Sequence, residues 1–371
     1  MLPLEGLLVV AIEQAVAAPL CSSRLAAAGA RVVKIERPEG DFARGYDAAA
    51  LGESSYFTWL NQGKESACVD FKSESGVSIL RNMLSRADVL VQNLSPGALA
   101  RAGFSTATLH KLNPKLVVCN ISGYGTRSQK RGYDLLVQAE SGLISVSGSP
   151  EAPGRIGVSM CDIATGLTAY SGVLESLIKR GRTGIGEELS VSLFDVSADW
   201  MSVPFIHAEY GSGAPRPMGL KHPSIAPYGA FRCAGDKLVL ISIQNEREWR
   251  RLCIEVLNAE WLISDERFAD NNERVTNREA LEAAMNTITK QMSSGEFQQK
   301  LEAADIAYGA INSASDLKTH PAFRGSQFAN SKGETLTLPA PPIIRSDVSG
   351  QSPVKTPAIG EHTDAILEEF A

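Results

Sequence analysis

LLVVAIEQAVAAPLCSSRLAAAGARVVKIE, residues 7–36, is the stretch whose reading decides the fold. Residues 7–12 are an unbroken apolar run, the pattern of a strand buried on both faces of a parallel sheet. Residues 19–30 are rich in small side chains and close at a glycine, as a short helix does, and RVVKIE at 31–36 predicts a second strand. Together they make a βαβ unit. The alternation continues outward with a helix near 73–87, a strand over 88–93, two short helical turns through 97–112 and a strand over 115–122. Such alternation predicts a doubly wound, Rossmann-like α/β layer on a parallel sheet.

Beyond that layer, GEELSVSLFD at 186–195 is a further strand candidate, and the Gly- and Pro-rich stretch 196–221 reads as a linker. A smaller α+β region follows over 222–315, with a strand at 237–243 and an amphipathic helix at 277–292. Residues 316–371 carry a proline cluster at 338–344 and a closing helix at 360–370.

The chain has 371 residues, 44% hydrophobic and 21% charged, enough to bury the cores of two domains. A formal net charge of −6 weighs against nucleic acid as the main partner and leaves any phosphate binding to a local basic pocket. Cysteines 21, 68, 119, 161, 233 and 253 show no CxxC or CxxH spacing, and the five histidines are dispersed, so no metal site is expected. The N-terminus lacks a basic signal region and its apolar run is too short for a membrane span, which makes cytoplasm the expected compartment, with no membrane partner.

Three familiar α/β chemistries fail at their motifs. EQAVAAPLCSS after the first strand has no glycine where G-x-G-x-x-G requires one. The Gly63-Lys64 pair lacks the upstream glycine of a Walker A loop, and no G-x-S-x-G elbow occurs. What stands out instead is Asp162 in GVSMCDIATGLTAYSG, residues 157–172. Leu167, Tyr170, Leu174, Leu177 and Ile178 recur at helical spacing behind it, with Gly181 as the expected end. An aspartate ahead of such a run is a preferred N-cap, and it is equally a candidate reactive carboxylate.

Seven blocks in order carry a resemblance that spans nearly the whole chain: GARVVKIERPEGDFAR (29–44), NQGKESACVDFKSESG (61–76), ADVLVQNLSPGALARAGF (87–104), NPKLVVCNISGYG (113–125), RGYDLLVQAESGL (131–143), GVSMCDIATG (157–166) and GEHTDAILEEF (360–370). They resemble the class III CoA-transferases, a superfamily that includes formyl-CoA transferase and α-methylacyl-CoA racemase. The resemblance implies a large α/β domain of residues 1–195 to which the segment 316–371 returns, a smaller domain over 222–315, a homodimer whose chains interlock, coenzyme A thioesters as substrates and no permanently bound cofactor. It also implies that Asp162 is a nucleophile, passing through an acyl anhydride and an aspartyl-CoA thioester to move CoA onto an acceptor acid. A carboxylate with an ordinary pKa of about 3.9 needs no general base for that step.

Carried over position by position, the resemblance puts Arg37 beside the CoA nucleotide, Asn93, Ala98 and Arg101 against adenine and phosphate, Arg131 next to CoA and Val69 in the adenine wall. Gln14, Ala15 and Val16 fall in the loop along which the pantetheine end approaches, and Asp134 at a carboxylate position of unassigned role. Arg44, Lys221 and His222 are candidates by charge for an acceptor carboxylate. HPSIAPYGAF at 222–231 stands where formyl-CoA transferase has a glycine-rich loop, and it is similar to a branch using itaconate, mesaconate or citramalate with succinyl-CoA. Related racemases place a histidine where this chain has Tyr133, and a phenol is a poor proton shuttle near neutrality, which favours transfer over racemisation. A protein that binds acyl-CoA without catalysis is the third reading.

Overall fold

Six strands, β1 (Leu8–Ile12), β2 (Arg31–Glu36), β3 (Glu65–Cys68), β4 (Val89–Gln92), β5 (Val117–Ser122) and β6 (Glu188–Ser192), form one parallel sheet in the order β3-β2-β1-β4-β5-β6. This is a computed structural model, and it describes residues 1–128, 130–211, 213–346 and 354–371. Ser212 of the expected linker and residues 347–353 of the expected tail lie outside the described residues. The strand order reverses direction between β1 and β4, which opens a crevice at the carboxyl ends of those strands.

The continuous apolar runs of the sequence are explained by the two cores they serve. Val9, Ala11, Val32, Val89, Val91, Val117 and Cys119 point into one cluster, shared with helices Ala17–Ala27 and Met160–Thr183. Their neighbours Val10, Val33, Leu90 and Val118 point into the other, shared with Leu80, Met83 and Leu84 of helix Glu74–Arg86 and with Ile366 and Phe370 of the tail. Side chains alternate across a strand, so apolar residues at every position require both faces to be covered. The class expected from alternation, a parallel α/β sheet with helices on both faces, is the one observed.

Two boundaries differ from expectation, each for a local reason. Helix Met160–Thr183 runs past Gly181 and stops at Gly184, whose φ of 74° is left-handed and whose amide donates to Arg180 O at 2.7 Å. Residues 193–195, expected as strand, begin helix Leu193–Trp200, because the Ser192 hydroxyl accepts from the Asp195 amide at 3.0 Å and caps it. Much of the first half of the expected linker is likewise helical, continuing as Ser202–Tyr210.

The described chain divides into two compact units, one of residues 1–143, 155–203 and 324–371, the other of residues 144–154 and 204–323. In the second unit, β7 (Tyr228–Arg232), β8 (Leu238–Ser242) and β9 (Tyr308–Ala310) form an antiparallel sheet around a core of Trp249, Phe268 and Phe297. Buried Arg274 is neutralised there by Glu246 and donates to the carbonyls of Ala226 and Phe268. A small three-stranded sheet, β10 (Gly325–Ala329), β11 (Thr335–Pro339) and β12 (Val354–Lys355), belongs to the first unit. No helix among the described residues is long and apolar enough to cross a membrane.

The tightest helix contact lies at Gly166. A Cβ there would stand 2.6 Å from Ala17 O and 2.8 Å from Leu20 Cβ, so the bare backbone is what lets helix 160–183 lie against helix 17–27. Gly166→Ala is expected to destabilise the protein by about 1–3 kcal/mol through forced overpacking. Thermal melts of the two proteins check this; an unchanged midpoint would show that the contact relaxes freely.

Candidate active site

A cleft of about 850 Å³ opens at the carboxyl ends of β1, β2, β4 and β5 and holds Asp162. Gln14, Ala15 and Val16 line it from the loop after β1, Arg37 from the residue after β2, and Asn93 and Arg101 from the segment after β4. Gly123 follows β5 and meets Gly132 backbone to backbone, so that a Cβ on either would lie within 2.7 Å of the other. This close approach brings Arg131 and Tyr133 to the same cleft.

The electrostatics are one-sided. Arg37, Arg101 and Arg131 are exposed guanidinium groups on the lining, and Lys130 joins them while paired with Glu140. Among the described residues Arg37 uses only its Nε, on Gly40 O at 3.2 Å, and Arg101 one Nη, on Pro96 O at 3.2 Å. Donors remain for a ligand, and planar forks of this kind match phosphate oxygens. Asp162 is the single carboxylate among the described lining residues.

Asp162 does not cap its helix. The helix starts two residues earlier, and the carboxylate that accepts its leading N–H groups is Asp134, from the Cys161 amide at 2.8 Å and the Asp162 amide at 3.3 Å. Asp134 is itself held by Gln138 Nε2 at 2.7 Å, and Gln138 ties back to Ile156 N at 2.9 Å. With the donors taken, the Asp162 carboxylate accepts no hydrogen bond among the described residues. It is half-buried, and this desolvation, with the negative charge of Asp134 beside it, pushes its pKa up to about 7. The expectation of an ordinary, fully ionised aspartate is therefore corrected: near neutrality Asp162 is about half ionised, and more basic than a free carboxylate.

The loop opposite Asp162 is held as firmly. The Asn93 side chain accepts from Gln14 N at 2.9 Å and donates to Gln14 O at 2.8 Å, so the amide expected to meet adenine is occupied with the loop backbone. Ala15 takes a left-handed φ of 62°, and its amide donates to Asp41 at 3.1 Å. Val16 packs with Leu20 and Leu60, against which Ile163 and Tyr56 also lie, linking the loop to the start of the Asp162 helix. Tyr56 meets Ser159 at 3.2 Å, and Tyr46 and Phe42 complete an aromatic wall. Burial first, then the charges of Asp41 and Asp162, raise the Tyr46 phenol to about 12.

Several expected site residues stand elsewhere. Val69 is buried in the core below the sheet, and Ala98 lines a separate cavity of about 290 Å³ that shares the Leu94–Pro96 lip with the cleft. Arg44 is committed to Glu36 at 2.6 Å and lies 3.6 Å over the Phe57 ring. Lys221 pairs with Glu282 at 2.6 Å, and His222 stacks on Tyr228; both belong to the second unit. Sequence reasoning missed Phe42, Tyr46, Tyr124 and Lys130, which carry no motif of their own. It also missed the buried charges behind the loop, whose signal was present: Lys34 sits in the middle of an apolar strand. Among the described residues no cluster of three or more His, Cys, Asp or Glu is arranged to hold a metal.

Comparison with known proteins gives one consistent answer. The family model described as CoA-transferase family III matches residues 4–363. Acetyl-CoA:oxalate CoA-transferase of Acetobacter aceti is 31% identical over all of this chain and 96% of its own length. Succinate–glutarate CoA-transferase of Agrobacterium fabrum is 30% identical over 99% of this chain and 96% of its own. Among solved structures, a CAIB/BAIF family protein from Brucella suis superposes over both full chains with a TM-score of 0.87 and 32% identity.

The position of Asp162 carries a cost in stability. Its pKa rises from about 3.9 in the unfolded chain to about 7 in the native one, so between those values the native state holds a proton that the unfolded state lacks. Stability therefore falls as pH rises from about 4 through about 7 and stays reduced above. Asp162→Asn is expected to melt higher than wild type at pH 8, by on the order of 1–3 kcal/mol after allowance for partial solvent contact, with the gap closing at pH 4. Equal differences at both pH values would mean that Asp162 is not the group responsible.

Proposed function

The chain belongs to CoA-transferase family III, and from that membership we propose that it moves coenzyme A from an acyl-CoA donor such as succinyl-CoA to a small dicarboxylic acid, with Asp162 as nucleophile. The enzyme is a class III CoA-transferase, acting on acyl-CoA thioesters and carboxylic acids. The observation that carries the finer reading is a lone carboxylate, without a hydrogen bond among the described residues and raised to about 7, in a cleft whose other charged lining groups are the cations Arg37, Arg101, Lys130 and Arg131. Each relative named above has a dicarboxylic acid in its name, oxalate with acetyl-CoA in one and succinate with glutarate in the other.

The steps balance without water or net proton transfer. An Asp162 oxygen attacks the donor carbonyl, the carbon–sulfur bond breaks, and CoA leaves as thiolate from a mixed anhydride. The thiolate then attacks the Asp162 carbonyl, releasing the donor acid and leaving an aspartyl-CoA thioester. The acceptor carboxylate attacks that thioester to form a second anhydride, and the thiolate finally takes the acceptor acyl group, freeing Asp162. The CoA thiolate is twice a leaving group and each time stays bound to become the next nucleophile, so the site must hold the CoA body still throughout. Arg37, Arg101 and Arg131 serve that purpose on the phosphates, while Gln14, Ala15 and Val16 flank the thioester end. Asp134 orients the Asp162 helix and, by its charge, keeps the nucleophile basic. Tyr133 and the Phe42–Tyr46 wall flank the acyl group.

The functional unit in this reading is an interlocked homodimer. Helix Ser202–Tyr210 buries none of its residues and exposes Val203, Phe205, Ile206 and Tyr210, a surface that a second copy would cover. Light scattering coupled to size exclusion is expected to give twice the monomer mass; a monomer at micromolar concentration would remove this part of the proposal.

Mass spectrometry of thioesters after incubation in D₂O with succinyl-CoA and a panel of mono- and dicarboxylic acids tests the chemistry. New acyl-CoA species that require an acid are expected from wild type and none from Asp162→Asn, which should still bind CoA. Deuterium entering the α-carbon of a 2-methylacyl-CoA without acid exchange would make the protein a racemase instead. The rate at low substrate is expected to rise with pH through about 7 as Asp162 ionises. In Asp134→Asn, which keeps an acceptor for the helix amides but loses the charge, that limb moves to lower pH; an unmoved limb would leave Asp134 a purely structural role.

A further inference from the structure

Behind the cleft lies a chain of fully buried charges that the reaction steps do not use. Glu13, the residue after β1, receives Lys64 Nζ at 2.7 Å and the Ser22 hydroxyl at 2.7 Å. Lys64 spends its other two protons on Pro19 O and Asn61 Oδ1, each at 3.0 Å. Lys34 Nζ lies 3.6 Å from the same Glu13 oxygen, donates to Glu13 O at 3.3 Å and pairs with Asp41 at 2.9 Å. Asp41 in turn holds the amides of Ala15 and Ala43. Two cations and two anions thus balance, all of them out of water.

Such an arrangement is a poor source of stability, because the desolvation of four charges offsets most of their attraction. What it does is geometric. It grips Glu13 by side chain and carbonyl and Ala15 by its amide, and so holds Ala15, a non-glycine residue, at a left-handed φ of 62° that its Cβ disfavours. The loop so held lines the same cleft as Asp162.

We propose that Lys64 is a positioning residue of the transferase reaction: through Glu13, and with Lys34 and Asp41, it keeps residues 13–16 in the turn that the bound thioester needs. This rests on the transferase reading above. Lys64 is not among the residues that line the cleft, and it acts by keeping Glu13 ionised and fixed. The groups facing it are Glu13, Lys34, Asp41 and the Cys21 thiol. Burial pulls the Lys64 ammonium down to about 8 against the attraction of Glu13, so alkaline pH removes the proton that grips Glu13. The reaction then has an alkaline limb that belongs to the loop and not to Asp162.

The test uses the full-length protein in two variants, Lys64→Met and Glu13→Gln/Lys64→Met, the second removing both charges so that no buried ion is left alone. The double variant is expected to fold with a melting point near that of wild type. Hydrogen exchange across residues 13–17 should then quicken about tenfold or more, kcat should fall about tenfold with the donor KM changed less than about threefold, and the alkaline limb should vanish. A folded double variant with wild-type exchange, or with faster exchange and wild-type kcat and pH profile, overturns the proposal. If wild type transfers CoA to no acid, it is the functional reading that fails. Exchange across 13–17 and CoA affinity by calorimetry then decide the proposal, which stands only if both change in the double variant.

Discussion

A lysine in the centre of a strand that is buried on both faces must find its counter-charge where it stands, and Lys34 is that lysine. Its ammonium cannot reach solvent, so Asp41 and Glu13 have to come to it, and they bring the loop after β1 and the turn at 41–43 with them. Lys64 then balances the excess negative charge, which draws in the 61–64 loop and the first turn of helix 17–27. One buried cation thereby organises the wall of the cleft, and the same wall packs through Val16 against the helix that starts beside Asp162.

The two sides of the cleft are built on opposite principles. On the loop side every buried charge is matched, and the backbone is held by groups that cannot move without leaving an ion alone. On the Asp162 side the match is withheld. Asp134 takes the helix donors that would have stabilised Asp162, and its charge opposes ionisation of its neighbour. A satisfied carboxylate would be stable and unreactive; a frustrated one is costly and nucleophilic. The rigid side is what allows the frustrated side to persist in one conformation.

How much of this was legible in the sequence follows from the range of each interaction. Strands β1, β2, β4 and β5 and helices 17–27 and 74–86 were readable to within two or three residues, because hydrophobic runs and small-residue helices are local signals, whereas β3, the short ESAC segment without an apolar run, and helix Ser55–Leu60 were not read. Asp162 was singled out from its place ahead of a helix, yet whether it capped that helix depended on Asp134, 28 residues away, and could not be read. Arg44 looked free by charge, but Glu36 lies across a turn from it and claims it. Val69 was given to the adenine wall by the family resemblance alone, and it is buried in the core shared with helix 74–86. Aromatic residues such as Tyr46 have no spacing to announce them; only the fold brings them to Asp162. The family blocks located the cleft because they encode loops at strand ends, and they said nothing of which lining side chains are already spent.

The tail helix Thr363–Glu369 closes the core on the β1, β2 and β4 side, with Ile366 and Phe370 buried among Val10, Val33 and Leu90, and Arg31 clasping Glu65 and Glu369 at 2.8 and 2.7 Å. The clasp joins Arg31 to a residue 338 positions further along the chain, with the whole of the second unit between them. Closing so long a loop costs chain entropy before its contacts repay it, so this corner of the core forms late in folding.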